Sequence, residues 1–139
     1  TFDLQLTPEL ILQASKVMSS APDTKIVLCH AGSPADRSEH GLEKWSRDLR
    51  LLSDMDNIFC KLSGLGMFDH NWTENSIAPI VNECLQQFGP SRCMFGSNFP
   101  VDSLYSDYSS LIKAYRKIIP KLASETVFDK TARDFYKIH

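Results

Sequence analysis

The sequence has no C-x-x-C pair, no excess of basic charge, no low-complexity segment and no apolar run near the roughly 18 residues that cross a bilayer. Each absence removes a class of function. Cys29, Cys60, Cys84 and Cys93 lack the close pairing of a zinc ribbon, and three of them sit inside apolar runs, so buried reduced thiols are expected rather than a disulfide framework. A formal net charge of -2 over 139 residues gives a nucleic-acid backbone nothing to hold, and it is too weakly acidic to recruit a cationic partner. The opening stretch TFDLQLTPEL lacks the basic-then-apolar order of a signal peptide. No nucleic acid and no membrane are therefore expected as partners, and the cytoplasm is the expected location. Asn71-Trp72-Thr73 fits a glycosylation acceptor but is discounted for the same reason. What remains, 42% hydrophobic and 23% charged residues, is ordinary globular composition for a single domain over residues 1–139.

What is present is a rhythm of short apolar run, polar loop and helical pattern. FDLQL (2–6) precedes Thr7-Pro8, a helix-start signal, with Leu10, Ala14, Val17 and Met18 at helical spacing. KIVLCH (25–30) precedes a loop through Gly41 and then Leu42, Trp45, Leu49 and Leu52. NIFCKLSG (57–64) precedes a loop through Trp72 and then Ile77, Ile80, Cys84 and Phe88, stopped by Gly89-Pro90. RCMFGS (92–97) precedes Leu104, Tyr108, Leu111, Ile112, Tyr115 and Ile119, with further helix through SETVFDKTARDFYKI. Strands alternating with helices predict a parallel α/β architecture, and units of about 30 residues match those of a (β/α)8 TIM-type barrel. Four such units make half of a barrel; the rival arrangement is a small open sheet covered on both faces.

Both architectures bind ligands at the carboxyl ends of their strands. Every apolar run here ends in a polar group: Gln5, His30, Ser63, and Asn98 after Ser97. His30 precedes Ala31-Gly32, and such a histidine can ligate metal, exchange a proton, donate to a developing oxyanion, or simply bond loop carbonyls. Gln5 and Ser63 are candidate substrate contacts, as are His70 and Trp72 from the loop after the third strand. Lys61 interrupts an apolar strand, and Asp3 is its expected partner. Gly64-Leu65-Gly66 lacks the third glycine of a dinucleotide loop. Asp36-Arg37 and Arg47-Asp48 read as local ion pairs.

The blocks PDTKIVLCHAGSP, FCKLSGLG and RCMFGSNFPVD, with FDLQL before them and TARDFYKI after, resemble the amidohydrolase-related TIM-barrel hydrolases, and in particular their lactonase-like branch. They occur in family order and span essentially the whole chain. The resemblance implies the C-terminal half of a (β/α)8 barrel, with the H-x-H motif of the first strand lying in the other half. It implies that His30 binds a divalent metal, zinc or similar, or polarises the substrate carbonyl. The position of Asn98 is usually aspartate in that family, a water-activating base or metal ligand. A carboxamide is neutral and cannot take that proton, which makes Asp102, four residues on, the candidate replacement base. The function implied is hydrolysis of a lactone or related cyclic ester or amide of a small carbohydrate or carboxylic acid. The alternatives are a metal-dependent decarboxylase or C–C hydrolase, and a barrel that has lost catalysis. A small-molecule substrate is the expected partner, with a homo-oligomer left open.

Overall fold

A computed structural model describes residues 1–138. Strands β1 (Phe2–Leu4), β2 (Ile26–Leu28), β3 (Ile58–Leu62) and β4 (Cys93–Phe95) form one sheet in chain order, every neighbouring pair parallel. Helices α1 (Ile11–Met18), α2 (Glu39–Ser53) and α3 (Glu74–Phe88) connect them, and α4 (Tyr108–Ile118), α5 (Lys121–Glu125) and α6 (Thr131–Tyr136) follow β4. These are four successive βα units of TIM-barrel type, as the sequence predicts.

The register puts Asp3 beside Val27, Val27 beside Phe59, and Lys61 beside Met94. Side chains alternate across a strand, so Ile26, Leu28, Ile58, Cys60, Leu62 and Cys93 point to the opposite face. That face is covered by Trp45, Leu49 and Leu52 of α2, Ile77, Ile80, Cys84 and Phe88 of α3, and Leu111 and Tyr115 of α4. Burying each such side chain contributes about 1.5–3 kcal/mol. All four cysteines are free thiols, three of them in this layer, as expected.

The helices start where their sequences supply caps. Ser38 Oγ accepts from the Gly41 amide at 3.1 Å, and Asp107 accepts from the Ser110 amide at 2.9 Å. Thr73 and Ser76 form a reciprocal capping box at the head of α3. Gly89, at φ 74°, ends that helix where predicted.

Three details correct the sequence reading. Around α1, Met18 is buried as expected and Ala14 packs against the core, but Ile11 is buried where Leu10 and Val17 face outward. Leu104 and Tyr108 also lie exposed, before and at the start of α4. Arg37 forms no ion pair with Asp36; its Nη2 donates to the Leu65 carbonyl at 3.2 Å. The expected Arg47–Asp48 contact is present at 3.5 Å, with Lys44 a closer partner of Asp48 at 2.7 Å.

The last helix departs from the pattern. A π-helical turn, Thr126–Lys130, precedes α6, and α6 lies on the inner face of the sheet, where Phe135 packs against Val27 and Met94. Its ring meets Phe59 edge-on, with centroids 5.0 Å apart.

Candidate active site

At the carboxyl ends of β2, β3 and β4 the backbone turns by the same device. His30 (φ 54°), Gly64 (φ 63°) and Asn98 (φ 57°) all adopt left-handed conformations directly beyond their strands. After β2 the left-handed stretch runs through four consecutive residues, His30, Ala31, Gly32 and Ser33. Histidine and asparagine enter this region more easily than most residues; Ala31 does not, and it stays there packed wholly out of solvent. Non-glycine residues held this way are strained by about 1–3 kcal/mol each, and such strain clusters at functional sites.

The turns bring His30, Ser63 and Asn98 to one open pocket of about 350 Å³ on the inner face of the sheet, with Lys61, Gly96 and Tyr136 also lining it. A larger cavity, about 730 Å³ between Met18, Lys25, Met55 and Phe59, lies at the opposite ends of the strands and gathers none of these groups.

His30 Nδ1 lies 2.9 Å from Ser63 Oγ, which orients the ring and leaves Nε2 without a partner among the described residues. A Cβ on Gly64 would come within 2.5 Å of that Nδ1, so the bare backbone there makes room for the imidazole. Burial holds the His30 pKa below its ordinary value, against the opposing pulls of Ser63 and Asp102. The ring is thus neutral near pH 7.

Asn98 Nδ2 donates to Asp102 Oδ1 at 2.8 Å. Asp102 is only 1% exposed and does not line the pocket; its other oxygen has no partner among the described residues. Burial pushes its carboxyl pKa up, with Asn98 and His30 opposing. Because the amide nitrogen is committed to Asp102, the Asn98 carbonyl oxygen is the end left to accept hydrogen bonds. Asp102, expected as a replacement base, thus touches the pocket lining through its bond to Asn98 and does not itself line the pocket.

The structure gathers fewer residues than the sequence nominated. Gln5 lies beyond the end of β1 and is exposed, outside the pocket. His70 is exposed and stacks on Tyr105 with ring centroids 4.5 Å apart. Trp72 is half-buried against the helix-side core, and its Nε1 has no partner among the described residues. Conversely, Tyr136 comes to the pocket from α6, more than a hundred residues from β1, and nothing local in TARDFYKI marks it as a site residue.

A tetrahedral zinc centre takes three or four protein ligands. Among the described residues no group of three His, Cys, Asp or Glu is placed to hold an ion. His30 Nε2 could supply one ligand, and Asn98, being neutral, is a poor second. These residues do not by themselves fit a metal.

The sequence model of a family described as amidohydrolase matches residues 1–138. An uncharacterized protein of Sinorhizobium fredii is 37% identical over 141 residues, covering 99% of this chain and 47% of that protein. An L-fucono-1,5-lactonase of Burkholderia multivorans is 36% identical over 104 residues, covering 65% of this chain and 35% of the enzyme. The crystal structure of a Burkholderia multivorans amidohydrolase with bound zinc superposes with a TM-score of 0.87 at 26% identity, over 99% of this chain and 52% of that one. The chain spans about half the length of the curated relatives it matches over its whole length.

Proposed function

Because the chain belongs to the amidohydrolase family, matching it over residues 1–138, we propose that it supplies the water- and carbonyl-handling side of a hydrolase that opens the lactone of a small carbohydrate or carboxylic acid. The observation that carries this is the His30–Ser63 pair, which leaves the other imidazole nitrogen unpartnered among the described residues at a pocket that Asn98 also lines. The likeness to an L-fucono-1,5-lactonase points the same way.

With the proton on Nδ1 donated to Ser63 Oγ, His30 Nε2 carries the lone pair that receives a proton from water. The water oxygen then bonds to the lactone carbonyl carbon. Collapse of the tetrahedral adduct breaks the ring C–O bond, and the imidazolium returns its proton to the departing ring oxygen. The product is the open hydroxy acid, which releases its own proton at neutral pH. Asn98 Oδ1 accepts the second hydrogen of the attacking water and fixes its approach; Asp102 fixes Asn98. General base catalysis of this kind is worth about 10²–10⁴-fold. A metal bound in the complete barrel would polarise the carbonyl.

The test is a panel of aldono- and other small lactones on a full-length barrel carrying this chain. Turnover that falls at least about 10²-fold in His30→Gln supports the reading. No lactone turnover, together with release of CO2 from aromatic acids, would replace it with the decarboxylase alternative; inactivity on every substrate, with the fold intact, would favour a binding domain.

A further inference from the structure

The charged groups on the inner face answer one another. Lys61 Nζ donates to Asp3 Oδ2 at 2.7 Å and to the Tyr136 hydroxyl at 2.8 Å. That hydroxyl lies 2.9 and 2.8 Å from the two Asp3 oxygens, so the expected ion pair is closed. Behind His30, by contrast, the backbone is strained. The left-handed stretch from His30 to Ser33 includes three residues, His30, Ala31 and Ser33, whose Cβ atoms disfavour that conformation. Such a turn persists only where its surroundings hold it. Within the turn, the Ser33 amide donates to the His30 carbonyl at 2.8 Å.

From outside, the turn is held by Trp45. Its Nε1–H donates to the Ala31 carbonyl at 2.8 Å, in a bond buried from solvent. Trp45 lies on the buried face of α2, 3% exposed, and Ala31 is fully buried. An indole nitrogen donates and does not accept, so the bond fixes which way the Ala31–Gly32 peptide faces. A Cβ on Gly32 would come within 3.2 Å of Leu28 Cδ2 and 3.7 Å of Trp45 Nε1, so the turn is packed closely against both. Ala31 is bonded to His30, whose ring meets Ser63 Oγ at 2.9 Å in the space that Gly64 leaves bare. A rotation of the Ala31 peptide would carry the His30 backbone with it and take the imidazole off Ser63.

We propose that Trp45 is a positioning residue for His30, holding the left-handed turn through the Ala31 carbonyl so that the imidazole keeps its bond to Ser63. The consequence for turnover rests on the hydrolase reading, with His30 as the base; the consequence for the ring itself does not. The indole acts through its N–H, separately from the packing of its carbon rings in the core. Because the bond sets a reacting group and touches no substrate, its loss falls on kcat and leaves KM. A displacement of about 1 Å at such a group is enough for about 10²-fold in rate.

The test uses a full-length barrel carrying this chain, with Trp45→Phe and with Trp45→benzothienylalanine, which keeps the bicyclic shape and replaces the N–H by sulfur. Ser38→Ala is the comparison, since it removes the cap of α2 without touching Ala31. Two readouts are followed: the His30 Nδ1–H proton resonance, assigned by its loss in His30→Gln, and kcat and KM for a small lactone. Both Trp45 variants are expected to move that resonance or lose it to exchange with water. They are also expected to lower kcat at least about 10-fold with KM within about twofold, while Ser38→Ala leaves resonance and kcat as in wild type. An unmoved resonance in the Trp45 variants, or an equal change in Ser38→Ala, overturns the assignment. So does a kcat unchanged in both Trp45 variants where His30→Gln lowers it. If the wild-type barrel turns over no lactone, the hydrolase reading fails and the resonance alone decides the role of Trp45. If Trp45→Phe does not fold, the isosteric variant decides by the same readings. Failure of both to fold overturns the assignment, because the bond then serves the fold and not the ring.

Discussion

His30, Gly64 and Asn98 turn the backbone at three strand ends, and their side chains, or the lack of one, shape the pocket those turns create. His30 is lowered in pKa by burial relative to its ordinary 6.5. Its unfolded form binds the extra proton first as pH falls, so the stability it carries is full above about pH 6.5 and is lost as pH drops through the native value. The neutral ring persists to the same native value. The acid limb of the pH–rate profile is therefore expected below pH 6.5, and a limb at or above it would contradict a buried catalytic imidazole. Asn98→Asp tests the dyad with Asp102. It would set two carboxylates at the 2.8 Å now spanned by an amide hydrogen bond, raising the native pKa of the pair. A raised carboxyl pKa loses its stabilising contribution as pH climbs. The melting temperature of Asn98→Asp should thus fall further behind wild type from pH 5 to pH 8. Gly64→Ala should cost about 1–2 kcal/mol for the left-handed backbone alone. It should also lower turnover, since the new methyl would occupy the imidazole's place. Some of this was legible in the residues. Strand alternation put Lys61 and Ser63 on one face, and the charge on an apolar strand called for Asp3. The direction of Asp102 was not legible, because it depends on how the chain turns through Asn98-Phe99-Pro100.

At the scale of elements, Gly89-Pro90 was the legible stop of α3, whereas the Thr73–Ser76 capping box that opens the helix went unread; Thr73→Ala is expected to destabilise by about 1 kcal/mol in chemical denaturation. The face of α1 was read in part: Ala14 and Met18 meet the core, but Leu10 and Val17 were grouped with them and Ile11 was left out. Leu10 and Val17 are seven apart, as are Ile11 and Met18, so periodicity alone cannot say which pair turns inward. The packing of α1 against α2 decides it. Arg92, which drew no attention in the sequence, bonds the carbonyls of Ser53, Met55, Ile58 and Phe88, joining the end of α2, the start of β3 and the end of α3. Arg92→Met leaves those carbonyls without their cationic donor, with an expected loss of about 2–4 kcal/mol in urea denaturation. A shift under about 0.5 kcal/mol would mean that water replaces the guanidinium without penalty.

Across the whole molecule, the sheet separates two layers of different chemistry. The helix side is an aliphatic and aromatic core; the inner side carries Asp3, Lys61, His30 and Asn98, with α6 lying across part of it. Among the described residues β1 pairs with β2 alone and β4 with β3 alone, so each outer strand keeps one free backbone edge. Edges of this kind recruit further strands. The 139-residue chain expressed by itself is expected to self-associate, seen as a concentration-dependent sedimentation coefficient. Addition of the complementary half of a relative's barrel should suppress it. The alternation of strands and helices made the parallel barrel type legible, whereas the crossing of α6 to the inner face was not. That crossing depends on a π turn at 126–130, where no glycine or proline interrupts the helical pattern.

The Asp3–Lys61–Tyr136 cluster also bears on the order in which the chain assembles. Its bonds join residues 58, 75 and 133 positions apart. Closing such loops costs entropy before any bond repays it, so these contacts belong late on the folding route, after adjacent βα units have formed. Interactions absent from the transition state slow unfolding without hastening folding. Tyr136→Phe is accordingly expected to steepen the loss of native protein over time while leaving the refolding rate as it was. The hydroxyl that bonds both members of the Asp3–Lys61 pair would then act as a latch on kinetic persistence.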